Sequence, residues 1–321
     1  MNGSSMKVGI IGAGAVGSAC AMALMQRGSA REIVLIDRTA GRARAVALDM
    51  RYGAPVSPTV DVRDGSYEDL NGADLVMITA GVNEKSGGAT DRSDAQGRLK
   101  LLDANAAVFR EIVPQVVAAA PDALLMVVTD PPDPLADLTR HLAKHDRVVS
   151  TGTMIDSLRF RVHLGERLGV NPASVEAMAI GEHGTSEVLL WSSATVAGLP
   201  IQQACQQCGE SFEKVRDAVE RDVRYANITI IEGNNASQYG IGIVCARLTE
   251  AVLRDERAIF PVASYQATYG VTLTLPSVVG RAGVVRVLTP LMSTDERAQF
   301  QRSAERLRTA GDRLQLATAS S

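Results

Sequence analysis

Three groups of residues in this chain have types and spacings that could do chemistry. Asp156 and Arg159 lie one turn apart in a segment with helical periodicity, so their side chains share a face. Gly181-Glu-His183-Gly184 follows an apolar run and displays a lone histidine between glycines. Gly12-Ala-Gly14-Ala-Val-Gly17 follows the apolar run Val8 to Ile11, and Asp37 ends the next apolar run. Histidine exchanges protons near neutral pH, and a guanidinium grips a carboxylate through two parallel hydrogen bonds. Taken singly, the first two groups also have ordinary structural uses: Asp156 as a helix cap, Arg159 as a surface charge, His183 as a loop histidine.

The glycine cluster carries more because of its context, between a strand and a helix. Gly12 permits a tight turn, Gly14 leaves room for a pyrophosphate against the backbone, and Gly17 lets helix and strand approach, with the helix N-terminus facing the anion. Asp37 can accept hydrogen bonds from both hydroxyls of a ribose and would repel a 2′-phosphate. The expected cofactor is therefore NAD in preference to NADP, with Arg38 next door tempering the choice.

The elements that must position these groups alternate. Strands are expected at Met6 to Ile11, Glu32 to Ile36, around Val60, Ala73 to Thr79, Ala123 to Val128 and Arg147 to Ser150. Helices fall between them at Val16 to Gln26, Gly41 to Tyr52, Ala104 to Ala119 and Leu135 to Lys144. Such alternation implies a parallel sheet covered on both faces. After Thr151 the rhythm changes to a helix at Ile155 to Leu168, a strand near Val175 to Ile180, and long helices across Ile201 to Ile231 and Tyr239 to Leu253. Antiparallel strands at Phe260 to Tyr265 and Thr272 to Leu275 follow, and an amphipathic helix from Thr294 to Leu316 closes the chain. The expectation is an α/β fold, a Rossmann-type doubly wound parallel sheet over 6–150 followed by an α+β catalytic domain over 151–316, with the helix near 237–253 packing back on the first domain.

Composition removes other classes. A chain of 321 residues, 46% hydrophobic and 21% charged, suits a packed globule. A formal charge of −3, without a basic block, argues against a nucleic-acid surface. No stretch reads as a signal peptide or a membrane span, so the expected compartment is the cytoplasm. Cys205 and Cys208 form a C-x-x-C within what reads as one amphipathic helix, but no second pair completes a zinc set, and no metal is expected.

The motifs together resemble the L-lactate/malate dehydrogenase family. Its carriers are GIIGAGAVG (Gly9 to Gly17), ITAG (Ile78 to Gly81), GRLKLLDAN (Gly97 to Asn105), GTMIDSLRFR (Gly152 to Arg161), IGEHG (Ile180 to Gly184) and IIEGNNASQYGIG (Ile230 to Gly242), and the resemblance runs from about Met6 to about Leu316. It implies a hydride transfer between NAD(H) and a small 2-hydroxy or 2-oxo acid, most like that of L-lactate dehydrogenases. By the same resemblance His183 is the proton donor and acceptor, Asp156 binds its far nitrogen and stabilises the imidazolium, and Arg159 holds the substrate carboxylate. Arg98, with Arg92 as the rival, closes over the substrate and polarises the carbonyl. Asp130, Glu84 and Ser237 would face the substrate. Val16, Thr79, Ala80, Gly81, Asn105, Val128 and Asp130 would join the glycines and Asp37 around the cofactor. A homodimer or homotetramer is also implied.

The chain departs from the family at several places. Asp130 stands where the family usually has an asparagine, so an ionised side chain only accepts where the amide would also donate. Glu84 aligns with the position of a glutamine or arginine and would repel a dicarboxylate. Thr185 replaces the usual aspartate after GEHG, with no physical account of the consequence. Glu176 replaces a histidine that in allosteric relatives helps bind a sugar bisphosphate, with Arg161 matching the other half of that site, so activation of that kind is not expected. Two alternatives stay open: a different, cationic 2-hydroxy acid as substrate, and an NAD-binding protein with little turnover.

Overall fold

The computed structural model describes residues 6–82 and 101–314. Six parallel strands open the chain: β1 (Lys7–Ile11), β2 (Glu32–Ile36), β3 (Asp61–Asp64), β4 (Leu75–Ile78), β5 (Leu124–Val127) and β6 (Val148–Ser150). Their spatial order is β3-β2-β1-β4-β5-β6, the doubly wound arrangement. Side chains of successive strand residues point to opposite faces, and the apolar runs fill both. Val8, Ile10, Ile33 and Leu35 pack beneath α1 (Ala15–Arg27) and α2 (Ala40–Gly53). Ile11, Val34, Ile36 and Val76 pack beneath α3 (Leu102–Ala119) and α4 (Pro132–Ala143). Phe109 of α3 is fully enclosed there, and its truncation to alanine would cost about 3–5 kcal/mol.

The second half completes the same sheet. Strand β12 (Ala258–Gln266) pairs antiparallel with β6 through Ala263 and Ser150, and β13 (Val271–Gly280) and β14 (Gly283–Val287) extend it outward. The long helix α8 (Tyr239–Leu253) lies on α1, where Glu250 takes a two-pronged bond from Arg27 at 2.8 Å and another from Ser29 at 2.9 Å. Helix α5 (Met154–Leu168) follows β6 directly, and α9 (Thr294–Arg313) begins with a capping box between Ser293 and Glu296.

Two expectations are corrected, and one strand was not foreseen. The strand expected over Val175 to Ile180 is two short strands in different sheets, β7 (Val175–Glu176) and β8 (Ala179–Ile180). Strand β7 pairs with β10 (Thr195–Val196), which also pairs with β11 (Leu199–Pro200), while β8 pairs with β9 (Val188–Leu189). The helix read through the C-x-x-C is broken: α6 (Ile201–Gln207) stops, Gly209 adopts φ +76°, and Ser211 caps α7 (Phe212–Asn234) by accepting from Lys214 N. A left-handed glycine and a serine cap outweigh the amphipathic pattern that runs across them. Strand β14 has no counterpart in the sequence reading, because its exposed residues carry no buried alternation. Among the described residues no helix is long and apolar enough to cross a membrane.

Candidate active site

A cleft of about 740 Å³ opens at the carboxyl ends of β1 and β4, where the strand order reverses. Its floor at one end is the glycine turn. Gly12 has φ +104°, and a Cβ there would meet the Ala80 backbone nitrogen at 2.8 Å. A Cβ on Gly17 would stand 1.8 Å from the Gly12 carbonyl oxygen, so helix α1 can seat on the turn only with glycine. Gly14, the N-cap of α1, lines the cleft, and a Cβ there would project into open space within the cradle. Backbone N–H groups at a helix N-terminus facing such a hollow suit a pyrophosphate. The residues present therefore fit a dinucleotide.

Asp37 braces this turn. Its Oδ2 accepts from Ala13 N at 2.9 Å, its Oδ1 accepts from Thr39 N at 2.8 Å, and Arg42, on the cleft wall, lies 3.8 Å from Oδ2. Thr79 donates its hydroxyl to Gly12 O at 2.8 Å, tying β4 to the turn. Asn105 is fully enclosed, accepting from Val82 N at 2.7 Å and donating to Asp130 O at 2.6 Å.

At the other end of the cleft three side chains meet. Asp156 sits in the first turn of α5, where the helix dipole favours its charge. Its Oδ2 lies 2.5 Å from His183 Nδ1 and its Oδ1 accepts from Arg159 Nη1 at 2.7 Å. One buried carboxylate thus joins the imidazole to the guanidinium. His183 Nε2 lies 3.7 Å from Asp130 Oδ1, at a side chain that follows β5. With Nδ1 committed to Asp156, Nε2 is the nitrogen able to pass a proton to a group in the cleft.

Of the residues singled out from sequence, Gly14, Val16, Thr79, Gly81, Val128, Asp130, Arg159, His183 and Ser237 line the cleft. Gly12, Gly17, Asp37, Ala80, Asn105 and Asp156 stand behind that lining. Glu84, Arg92 and Arg98 lie outside the described residues. Arg42, Thr129, Thr151, Ile155, Asn227 and Gln238 also line the cleft and were not anticipated. Thr129 was within reach of sequence reasoning, since it directly follows a strand end. Asn227 sits mid-helix in α7 with no local signal.

The lactate/malate dehydrogenase NAD binding domain matches residues 6–150, and the lactate/malate dehydrogenase alpha/beta C-terminal domain matches residues 153–315. An L-lactate dehydrogenase of Deinococcus radiodurans is 46% identical over 304 residues, covering 94% of this chain and 97% of that protein. One of Thermus aquaticus is 42% identical over 318 residues, covering 96% and 99%. The crystal structure of a minor L-lactate dehydrogenase from Enterococcus mundtii, in a ligand-bound form, superposes with a TM-score of 0.89 at 34% identity, covering 99% of this chain and all of that one.

Proposed function

Because the chain belongs to the lactate/malate dehydrogenase family, we propose that it interconverts a small L-2-hydroxy acid and its 2-oxo acid with NAD(H), pyruvate and L-lactate being the foremost pair. The observation that carries this is the single carboxylate of Asp156 holding both His183 and Arg159 at the end of the cleft opposite the glycine turn. The Gly12 to Gly17 turn and Asp37 would hold NAD(H), which would supply or take the hydride when bound.

His183 gives its Nε2 proton to the substrate oxygen in reduction and takes it back in oxidation. Asp156 keeps the ring in the tautomer that presents Nε2 and steadies the imidazolium. Arg159 uses its planar fork to hold the substrate carboxylate, which sets the orientation of the 2-oxo group. Ser237 and Asp130 border the same space. Relatives named L-lactate dehydrogenase do not favour a cationic substrate or an inactive NAD binder.

We read 6–150 as the NAD-binding domain and 151–316 as the substrate domain. A cytoplasmic homodimer or homotetramer accords with four free cysteines and with exposed apolar side chains such as Met22, Tyr52 and Ile243 on α1, α2 and α8. The decisive experiment is NADH oxidation against a panel of 2-oxo acids, with His183→Asn in parallel. Reduction of a small 2-oxo acid, lost in the variant while NADH still binds, is the expected result. Absence of turnover with every 2-oxo acid, or a variant as fast as the parent, would refute the reading.

A further inference from the structure

We propose that Asp133 is a positioning residue of this site: from the first turn of α4 its carboxylate holds the His183 peptide and thereby sets where the imidazole stands over the cleft. The proposal rests on the reading of His183 as the acid/base. Asp133 is 1% exposed and does not line the cleft, so it acts only through what it binds. Its Oδ2 accepts from His183 N at 2.7 Å and its Oδ1 accepts from the Ser150 hydroxyl at 2.6 Å. Ser150 Oγ in turn accepts from Gly152 N at 3.1 Å, just ahead of the helix that carries Asp156. One carboxylate therefore ties the histidine strap to the end of β6, from which the dyad partner also departs.

The strap is held residue by residue. Gly181 N donates to Thr274 O at 3.0 Å, Glu182 N to Ser303 Oγ at 2.8 Å, and His183 N to Asp133. Three consecutive peptides are thus pinned to β13, α9 and α4, and only the last pin touches the residue whose ring reacts. Burial pushes the Asp133 carboxyl up to about 7 despite the bonds from Ser150 and His183. Asparagine has the hydrogen-bonding pattern of the neutral acid, an oxygen for His183 N and a donor for Ser150 Oγ. Position and charge can therefore be separated by substitution.

The test compares Asp133→Asn, Asp133→Ala and Ser150→Ala with the parent, in kcat and KM for pyruvate, NADH affinity by fluorescence, and the His183 Nδ1 proton resonance by NMR. Asp133→Asn should keep kcat within about threefold, whereas Asp133→Ala should lower it about tenfold or more with NADH affinity nearly unchanged, because small misplacements of a reacting group are costly. The His183 resonance should move in the alanine variant and stay in the asparagine variant. Ser150→Ala, which leaves the carboxylate in place with one anchor gone, should lower kcat a few fold and covers the case in which the alanine variant does not fold. An unmoved resonance with unchanged kcat in Asp133→Ala or in Ser150→Ala would overturn the proposal. So would an asparagine variant as damaged as the alanine one. The resonance is read whether or not the protein turns over pyruvate, so failure of the dehydrogenase reading is seen separately from failure of this one.

Discussion

His183 Nε2 stands 3.7 Å from Asp130 Oδ1, so the ring has a carboxylate at each nitrogen, Asp156 at Nδ1 and Asp130 on the cleft side. An ionised Asp130 offers the substrate oxygen no donor and opposes the negative charge that builds there. Asp130→Asn restores a donor at nearly constant volume and should raise turnover of pyruvate about tenfold or more. The measurement is kcat/KM for pyruvate and oxaloacetate in variant and parent. A parent already fast on pyruvate, with the variant slower, would mean that the site works with the aspartate as it stands.

Arg159 shares Asp156 with His183, and its guanidinium also lines the cleft. Arg159→Lys keeps a positive charge near Asp156 but loses the planar fork. KM for pyruvate should rise by roughly a hundredfold, with NADH affinity little changed. Steady-state kinetics at saturating NADH reads this directly, and an unchanged KM would remove Arg159 from substrate binding.

Asp37 has both oxygens engaged by Ala13 N and Thr39 N, which aims its carboxylate beside the glycine turn. The parent should bind NADH far more tightly than NADPH, because a 2′-phosphate would meet that charge. Asp37→Ser should narrow the gap, with Arg42 and Arg38 nearby to receive the phosphate. Fluorescence titration with both cofactors decides it, and equal affinities in the parent would contradict the role given to Asp37.

Asp137 on α4 accepts from Thr272 N at 2.9 Å and from the Thr272 hydroxyl at 2.5 Å, and burial lifts its carboxyl from 3.8 to about 6. A carboxyl raised in the fold is most favourable while neutral, so its contribution is whole below pH 4 and is lost as pH climbs through 6. The loss amounts to roughly 3 kcal/mol. Asp137→Asn does not titrate, so its stability relative to the parent should improve as pH rises from 4 to 7. Denaturant unfolding of both proteins across that range tests this, and a pH-independent difference would count against it.

Much of the fold was legible because its signals are local. Strands β1, β2, β4 and β5 are buried on both faces and read as unbroken apolar runs. The two-residue strands β7 and β8 were not separable, since a single apolar stretch does not say which sheet each half joins. The break between α6 and α7 was missed because the apolar pattern continues across a turn that Gly209 and Ser211 enforce. Asp133 and Asp137 were not singled out, since nothing near them in sequence announces Ser150, His183 or Thr272.

What the sequence by itself determined is the chemistry that needs only neighbours along the chain. The glycine turn, the helix it opens and the Asp37 that closes the next strand follow from steric rules that act over a few residues. The tertiary structure decided which carboxylate meets which nitrogen. Asp156 and Asp130 come to opposite sides of one imidazole from different elements, and Asp133 reaches the same residue's peptide from a third. Those pairings, and the raised pKa values of Asp133 and Asp137, depend on burial and on contacts between distant segments, which exist only once the sheet has closed around them.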